Sequence, residues 1–276
     1  MDAIAKTSLL TAAMRAMETK RSDKEGRLFS DPYAEILAGD EGMDLLRRAI
    51  EESGDQPAIA VRTYFIDQKI TEALTKGIRQ IVMLAAGMDT RAFRLSFPKG
   101  TQLYELDRKE VLDYKQMKLT KAPLRCERHA LAVDLREEWQ GKLQGAGWKR
   151  SEPTLWMVEG LLMYLEESQV VTLFERINSL ASVKDVMLFD ILSRTLLEAP
   201  YMKRQLQFLE KMGAPWRFGT DEPEKFMEGF HWNAVVKQTG EVSPTRWPFP
   251  VAPRNIPNVP RGFLVEAFKM CTNTTK

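Results

Sequence analysis

The chain of 276 residues contains only two cysteines and two histidines. Cys126 and Cys271 lie far apart in the sequence, and no cluster of several cysteines and histidines is present. The sequence therefore predicts neither a metal site nor a disulfide framework. Two reduced thiols are typical of a cytoplasmic protein, which is the localisation that we expect.

The sequence also lacks a long apolar run and an excess of either charge. No window approaches the roughly 18 apolar residues of a membrane span, and the first segment lacks the apolar core and cleavage sequence of a signal peptide. With 40 basic and 38 acidic residues the net charge is +2, which favours neither nucleic acid nor an anionic membrane as a partner. We expect a globular protein whose partner is a small molecule or another protein; the oligomeric state stays open.

Five short apolar runs alternate with helical segments after residue 79, and this alternation predicts an α/β fold. The runs are 80–86, 102–106, 130–133, 154–158 and 186–189. They predict a mostly parallel sheet with helices on both faces. We expect a single domain over 1–276. It comprises an N-terminal helical cap (1–78), a core (79–198), a helical lid insertion rather than sheet (199–250), and a final strand region (251–276).

Acidic residues follow these runs at the carboxyl edge of the predicted sheet. Four runs end at an acid, and the first continues through a lone glycine to a fifth; these residues are Asp107, Asp134, Glu159, Asp190 and Asp89. In open α/β sheets the ligand lies outside this edge. One such acid would indicate only a helix cap. A row of them favours a ligand with hydroxyls, amines or positive charge.

The turn after the first run, IVMLAAGMDTRAFRL, has one glycine, Gly87, where dinucleotide enzymes carry G-x-G-x-x-G. Those glycines let the backbone approach a pyrophosphate, so an NAD(P)-dependent oxidoreductase is a disfavoured alternative. S-adenosylmethionine has no phosphate. Its ribose hydroxyls and amino groups suit carboxylate acceptors, and its own carboxylate requires a cation. The sequence supplies these groups in order.

Four blocks resemble the leucine carboxyl methyltransferase family and its bacterial relatives, which include carboxyl O-methyltransferases of polyketide biosynthesis. The blocks are AAGMDTRAFRL, YELDRKEV, AVDLRE and VEGLLMYL. TAAMRAMET, LFSDPYAEIL and VRTYFID resemble the family's N-terminal helical part, so that the resemblance covers most of residues 7–192. It implies a Rossmann-like class I methyltransferase fold with a seven-stranded sheet and S-adenosyl-L-methionine as the cofactor.

The resemblance also implies roles for individual residues toward the cofactor. Arg62 would bind its carboxylate, Asp107 its ribose, and Glu159 would lie near its ammonium and the reacting methyl. Asp134 would accept from the adenine amine and Leu135 would offer a backbone N–H to the ring. Ala85 and Gly87 would line the turn beneath the methionine part, although the family usually has glycine in place of Ala85. Glu105 is the nearest competitor of Asp107.

The methyl acceptor is less well defined by the sequence. Trp216, Arg217 and Tyr164 are candidate substrate residues, and no catalytic residue is certain. Tyr164 could orient an acceptor oxygen, and His231 is the only plausible histidine base. Because a carboxylate is already ionised and requires no base, the scarcity of histidine favours a small-molecule carboxylate acceptor, as the resemblance also suggests. A protein C-terminal carboxylate, and a cofactor-binding protein without turnover, remain alternatives.

Overall fold

The computed structural model of the protein describes residues 2–55 and 57–271, and these residues form one seven-stranded sheet covered by helices. The strands are β1 (Gln80–Leu84), β2 (Gln102–Asp107), β3 (Glu127–Ala132), β4 (Thr154–Val158), β5 (Val186–Leu192), β6 (Trp232–Gln238) and β7 (Gly262–Lys269).

Helices fill most of the chain between the strands and before the first of them. They are α1 (Ala3–Lys20), α2 (Ala34–Ser53), α3 (Ala58–Thr75), α4 (Arg91–Arg94), α5 (Lys109–Lys118), α6 (Gln140–Gly145), α7 (Glu167–Leu180), α8 (Arg194–Glu198), α9 (Lys203–Lys211), α10 (Pro223–Glu228) and α11 (Thr239–Val242). Short 3-10 turns lie at Asp23–Glu25, Leu162–Tyr164 and Pro200–Met202.

The strand order is β3-β2-β1-β4-β5-β7-β6, and β7 runs antiparallel to both of its neighbours. β1 to β5 are parallel, and β6 runs in the same direction as they do. The strand order reverses between β1 and β4, which is the switch point where doubly wound sheets bind ligands. The predicted α/β architecture, Rossmann-like with a mostly parallel seven-stranded sheet, is confirmed.

The two faces of the sheet bury separate apolar cores because successive strand residues point in opposite directions. Ile81, Met83 and Met157 pack against α1, α2 and α3 on one face. Val82 and Val158 pack against α6, α7 and α10 on the other face. The two strands at the centre, β1 and β4, are therefore apolar on both faces, which is the pattern of a parallel sheet covered on both sides.

The structure corrects the organisation expected after the core. Before the core, α1, α2 and α3 lie in the segment expected to be a helical cap, and α3 packs directly on the sheet, since Phe65, Ile66 and Ile70 belong to the core cluster that includes β1. Residues 199–250 were expected to be helical and without sheet, but they contain β6, an edge strand with partly exposed residues. The final strand expected within 251–276 is present as β7.

The carboxyl ends of the strands also differ slightly from their predicted positions. β3 ends at Ala132, two residues before Asp134. β5 continues past Asp190 to Leu192, so that Asp190 lies inside the strand opposite Leu264. In the part of the chain that the structure describes, no helix combines the length and apolar character needed to cross a membrane.

Candidate functional site

The turn after β1 forms the centre of the candidate site. Two successive amides, those of Ala85 and Ala86, donate to the Leu106 carbonyl at 2.9 and 3.3 Å, which fixes the turn against β2. Ala85 and Gly87 have φ of 61° and 48°. This left-handed region suits glycine and is costly for alanine. A Cβ on Gly87 would lie 3.1 Å from the Cβ of Ser8, so α1 approaches the turn as closely as a glycine permits.

Asp107 ends β2 beside this turn. Its Oδ2 accepts from the Gly87 amide at 2.6 Å and its Oδ1 accepts from the Arg108 amide at 2.7 Å. Burial raises the pKa of Asp107, and these two backbone hydrogen bonds only partly counteract the effect. The carboxylate thus has little solvent and no side-chain cation within bonding distance among the described residues.

Glu105 lies two residues earlier on β2 and is engaged elsewhere. Its Oε2 accepts from Lys115 Nζ and Arg128 Nη2, both at 2.8 Å, and its side chain is fully buried. Burial raises the pKa of Glu105, but the attraction of the two cations outweighs burial and lowers it. The structure therefore removes Glu105 as a competitor of Asp107, because its carboxylate is held away from the cavity.

Asp134 and Leu135 follow β3 and lie at the adjacent strand end. The Asp134 carboxylate accepts from the Arg136 side chain, with Nη2 at 2.6 Å, and from the Arg136 amide at 2.9 Å. The side-chain hydrogen bond from Arg136 lowers the pKa of Asp134. The Leu135 carbonyl accepts from Arg176 Nη1 at 2.9 Å, so α7 fixes the backbone at this position.

A group of buried arginines and acids closes the carboxyl ends of β4 and β5. Arg62 of α3 donates to Glu159 Oε1 and to Asp190 Oδ2, each at 2.9 Å. Glu159 also accepts from Arg91 Nη1 at 2.7 Å. Burial alone would raise the pKa of Glu159, but Arg91 and Arg62 lower it to about 2. Glu159 is therefore a stable anion at neutral pH and is unsuited to act as a base.

Gly160 allows this arrangement by keeping the space beside Arg62 open. Its φ is 66°, and a Cβ there would lie 3.2 Å from both terminal nitrogens of Arg62. The Gly160 amide donates to Asp190 Oδ1 at 2.6 Å. Asp190 was predicted as a strand-end acid but not as a site residue. Like the other strand-end acids, Asp190 follows an apolar run in the sequence, and this pattern could have indicated that it belongs to the site.

Further ion pairs connect the N-terminal helices to the turn. Arg15 of α1 donates to Asp31 at 2.9 Å and to the Met88 carbonyl at 2.6 Å. Arg91 and Arg94 both donate to Asp67 of α3, at 2.6 to 2.8 Å. Arg91 and Arg94 therefore brace the turn against α3. Nothing in the sequence distinguished Arg15 from a surface residue of α1.

These groups surround one cavity of about 640 Å³ above the carboxyl ends of the strands. This volume is in the range of small-molecule sites. The structure brings ten predicted site residues to its wall: Arg62, Ala85, Gly87, Asp107, Asp134, Leu135, Glu159, Tyr164, Trp216 and Arg217. Their individual roles stay predictions. Sequence reasoning missed the wall residues of α1, α2 and α9, whose helical pattern carried no ligand signal.

The three candidate substrate residues lie at the side of the cavity next to the loop after β4. Tyr164 and Trp216 are half-buried, and Arg217 is exposed. The Arg217 amide donates to the Met163 carbonyl at 2.6 Å, and its guanidinium pairs with Glu166. Trp216 Nε1 is buried and has no hydrogen-bond partner among the described residues. The segment 215–217 is thus attached to the loop that contains Tyr164.

His231 does not belong to the cavity, and its assignment as a candidate base in the lid is wrong. It immediately precedes β6, whose amino end lies at the edge of the sheet opposite the cavity. It is exposed and its φ is 60°. His129 lies within β3, where its ring stacks on Tyr104 and its Nε2 is 2.6 Å from Gln102 Oε1.

Residues 8–178, which include the predicted cofactor-binding residues, match the model of a known protein family, and this family is described as leucine carboxyl methyltransferase. The chain belongs to the leucine carboxyl methyltransferase family. A relative from Streptomyces avermitilis is 38% identical over 205 residues, which are 70% of each chain. Another from Frankia alni is 39% identical over 206 residues, again 70% of each. Both are provisionally named S-adenosyl-L-methionine-dependent methyltransferases.

Solved structures share the fold of this family member. A provisionally named methyltransferase from Thermobifida fusca superimposes with a TM-score of 0.64 at 19% identity, covering 87% of this chain and 93% of that one. A DUF574 family protein from Streptomyces avermitilis gives 0.61 at 12% identity, covering 94% and 96%. At such identities they show the fold alone. The predictions of family, cofactor and enzyme class, an S-adenosyl-L-methionine-dependent methyltransferase, are confirmed.

Proposed function

We propose that this methyltransferase transfers the methyl group to a carboxylate oxygen of a small-molecule acceptor. One observation carries the proposal: among the described residues that line the cavity there is no histidine, and each acid is already paired with a cation or with backbone amides. An alcohol or phenol acceptor would need a base to take its proton. A carboxylate is ionised at neutral pH and needs none.

The pairing of the acids can be followed around the cavity. Glu159 is held by Arg62 and Arg91, and Asp107 by two amides. The remaining acids of the wall each have an arginine: Asp2 with Arg108, Asp55 with Arg21, Asp89 with Arg91, Asp134 with Arg136, and Glu166 with Arg217. The arginines lower the pKa of Glu159, Asp134 and Asp2, so these three carboxylates are weak bases.

The residues present suit S-adenosyl-L-methionine. Burial raises the pKa of Asp107, and the two ribose hydroxyls would donate further hydrogen bonds to its carboxylate. Asp134 and Leu135 would hold the adenine. Arg62 would hold the carboxylate of the cofactor, and Glu159 its ammonium. The cofactor supplies an electrophilic methyl group on a sulfonium that is already a good leaving group.

The protein would contribute alignment and exclusion of water. Holding two reactants in line can lower a barrier by about 7–11 kcal/mol in favourable cases. α1 passes close to the turn, since a Cβ on Gly87 would lie 3.1 Å from the Ser8 Cβ, while Tyr164 and Trp216 line the cavity on the acceptor side. Arg217, with Glu166 as its present partner, is a candidate to attract the acceptor carboxylate at the cavity rim.

The first test is calorimetric titration with S-adenosyl-L-methionine, with its demethylated product and with NADH. We expect the first two to bind and the third not to bind. Binding of NADH alone would support the disfavoured oxidoreductase. Binding of the cofactor without turnover on any acceptor would support a non-catalytic binding protein.

The second test compares a carboxylic acid with the phenol of similar size as acceptor, using methyl-labelled cofactor. Above about pH 6 a carboxylic acid is fully ionised, so kcat/KM for the acid should be flat up to about pH 8. Methylation of the phenol alone, with a rate that rises with pH, would contradict the proposal. A peptide with a free C-terminal carboxylate tests the protein-acceptor alternative, with its C-terminal amide as the control.

A further inference from the structure

The cavity has two chemically different walls. The wall formed by the carboxyl ends of the strands is charged, with Arg62, Asp107 and Glu159. The opposite wall is formed by α1, α2, α3 and α9, and we call it the helical wall. Its members are mainly apolar: Met14, Met17, Leu46, Ile50, Ile59 and Phe208.

The helical wall exposes apolar surface to the cavity. Met14, Met17, Ile59 and Phe208 are only half-buried, and Ile50 is 37% exposed. Leaving apolar area in water costs about 25 cal/mol for each Å², and contiguous apolar patches generally mark binding sites. Four separate helices contribute to this patch, and all of its members line the same cavity as the charged wall. The patch is therefore continuous with the site where the methyl group would be transferred.

The charged groups beside the helical wall already have partners. Arg15 of α1 is bound to Asp31 at 2.9 Å, and Arg62 of α3 is bound to Glu159 and Asp190. Asp55, which follows α2, pairs with Arg21 at 2.6 Å. A second charge on the acceptor would thus have to break an existing pair or lose its hydration without compensation.

We propose that the acceptor is an amphipathic monocarboxylic acid whose carboxylate lies toward the charged wall and whose apolar chain lies along the helical wall. This inference rests on the proposed carboxylate methylation. The two methionines add to the case, because their flexible thioether side chains adapt to apolar ligands. Dicarboxylic acids of the same length are excluded as good acceptors because their second carboxylate would meet the apolar side chains.

The test uses a series of linear acids, butyric, hexanoic, octanoic and decanoic, together with the dicarboxylic acid that matches octanoic acid in length. For each acid we would measure affinity in the presence of the demethylated cofactor and kcat/KM for methyl transfer. Both quantities should rise about fourfold per methylene until the wall is filled, as follows from about 0.8 kcal/mol per buried methylene. The dicarboxylic acid should bind more weakly than its monocarboxylic counterpart.

A matched pair of variants on α2 tests where the apolar chain of the acceptor lies. Ile50→Gln places an amide of similar size on the helical wall, whereas Ile36→Gln changes a residue of the same helix that is 49% exposed and does not line the cavity. Both side chains lie at the surface, so both variants should fold. Ile50→Gln should reduce the increase in affinity and in kcat/KM per methylene. Ile36→Gln should leave both quantities unchanged for every acid of the series.

The outcomes separate this inference from the proposed function. Length-dependent binding without methyl transfer would overturn carboxylate methylation and leave the helical wall as an apolar binding surface. Methyl transfer that is independent of chain length, or that favours the dicarboxylic acid, would overturn the inference and leave the proposed function standing. Failure of every acid to bind would overturn both.

Discussion

Ala85 occupies a backbone conformation that glycine would adopt at lower cost, and this leads to a quantitative prediction. Its φ of 61° lies in the left-handed region, which costs a residue with a Cβ about 1–2 kcal/mol. Glycine also makes the unfolded chain more flexible, and this stabilises the unfolded state by about 0.4–1 kcal/mol and offsets part of the gain. Ala85→Gly should therefore raise the free energy of unfolding by about 1 kcal/mol or slightly less, measured by urea denaturation.

The same change should also strengthen cofactor binding. Ala85 lines the cavity at the turn, so its methyl group narrows the approach to the turn. Calorimetric titration of the variant with S-adenosyl-L-methionine should give a lower Kd than the parent. The natural control is His231→Gly, because His231 has φ of 60° but lies at the opposite edge of the sheet.

The two variants together can refute the reasoning. His231→Gly should gain similar stability with no change in cofactor affinity or turnover. If Ala85→Gly instead loses more than about 1 kcal/mol while His231→Gly gains, the Ala85 methyl contributes packing that exceeds the backbone cost. If both variants bind the cofactor as the parent does, Ala85 does not limit access to the turn.

Two further changes test the charged wall. Asp107→Ala should abolish cofactor binding in calorimetry while the circular dichroism spectrum stays native. Its control, Glu105→Gln, should retain cofactor binding and lose stability. If Glu105→Gln abolishes binding and Asp107→Ala does not, Glu105 rather than Asp107 binds the ribose. Glu159→Gln tests the pH dependence of stability. Because the pKa of Glu159 is lowered from 4.5 to about 2, its ion pairs stabilise the protein above about pH 4.5 and lose this effect as pH falls toward 2. The difference in unfolding free energy between parent and variant should therefore shrink over that interval; a constant difference would contradict the charge pairing with Arg62 and Arg91.

The elements most accurately predicted from the sequence are those with a strong local pattern. Helical segments were expected between the apolar runs, and α7 is a clear example, because its apolar residues recur at helical spacing. β1 and β4 are almost continuous apolar runs, as expected for buried parallel strands, and β2 is buried as well although Glu105 interrupts its apolar residues. β6 was missed because an edge strand need not be apolar throughout, and WNAVVKQ has exposed and half-buried positions between its buried ends.

The strand-end acids could be predicted, but their partners could not. Arg62 is 97 residues from Glu159 and 128 from Asp190, so no local pattern connects them. The positions of Asp107 and Asp134 follow from the parallel sheet, since the carboxyl ends of parallel strands share an edge. His231 was misplaced because β6 was not recognised as a strand. Without β6 the direction of the chain at His231 could not be predicted, nor the edge of the sheet at which this residue lies.

The position of β7 has a consequence for synthesis of the chain on the ribosome. β7 lies between β5 and β6, so β5 keeps one edge unpaired until Lys269, 77 residues after its own last residue Leu192, has emerged. At about 5–20 residues per second this interval lasts about 4–15 s. An open strand edge invites pairing with other chains. Nascent chains that stall before Gly262 therefore expose two unpaired strands, β5 and β6, and are the species that we expect chaperones to bind.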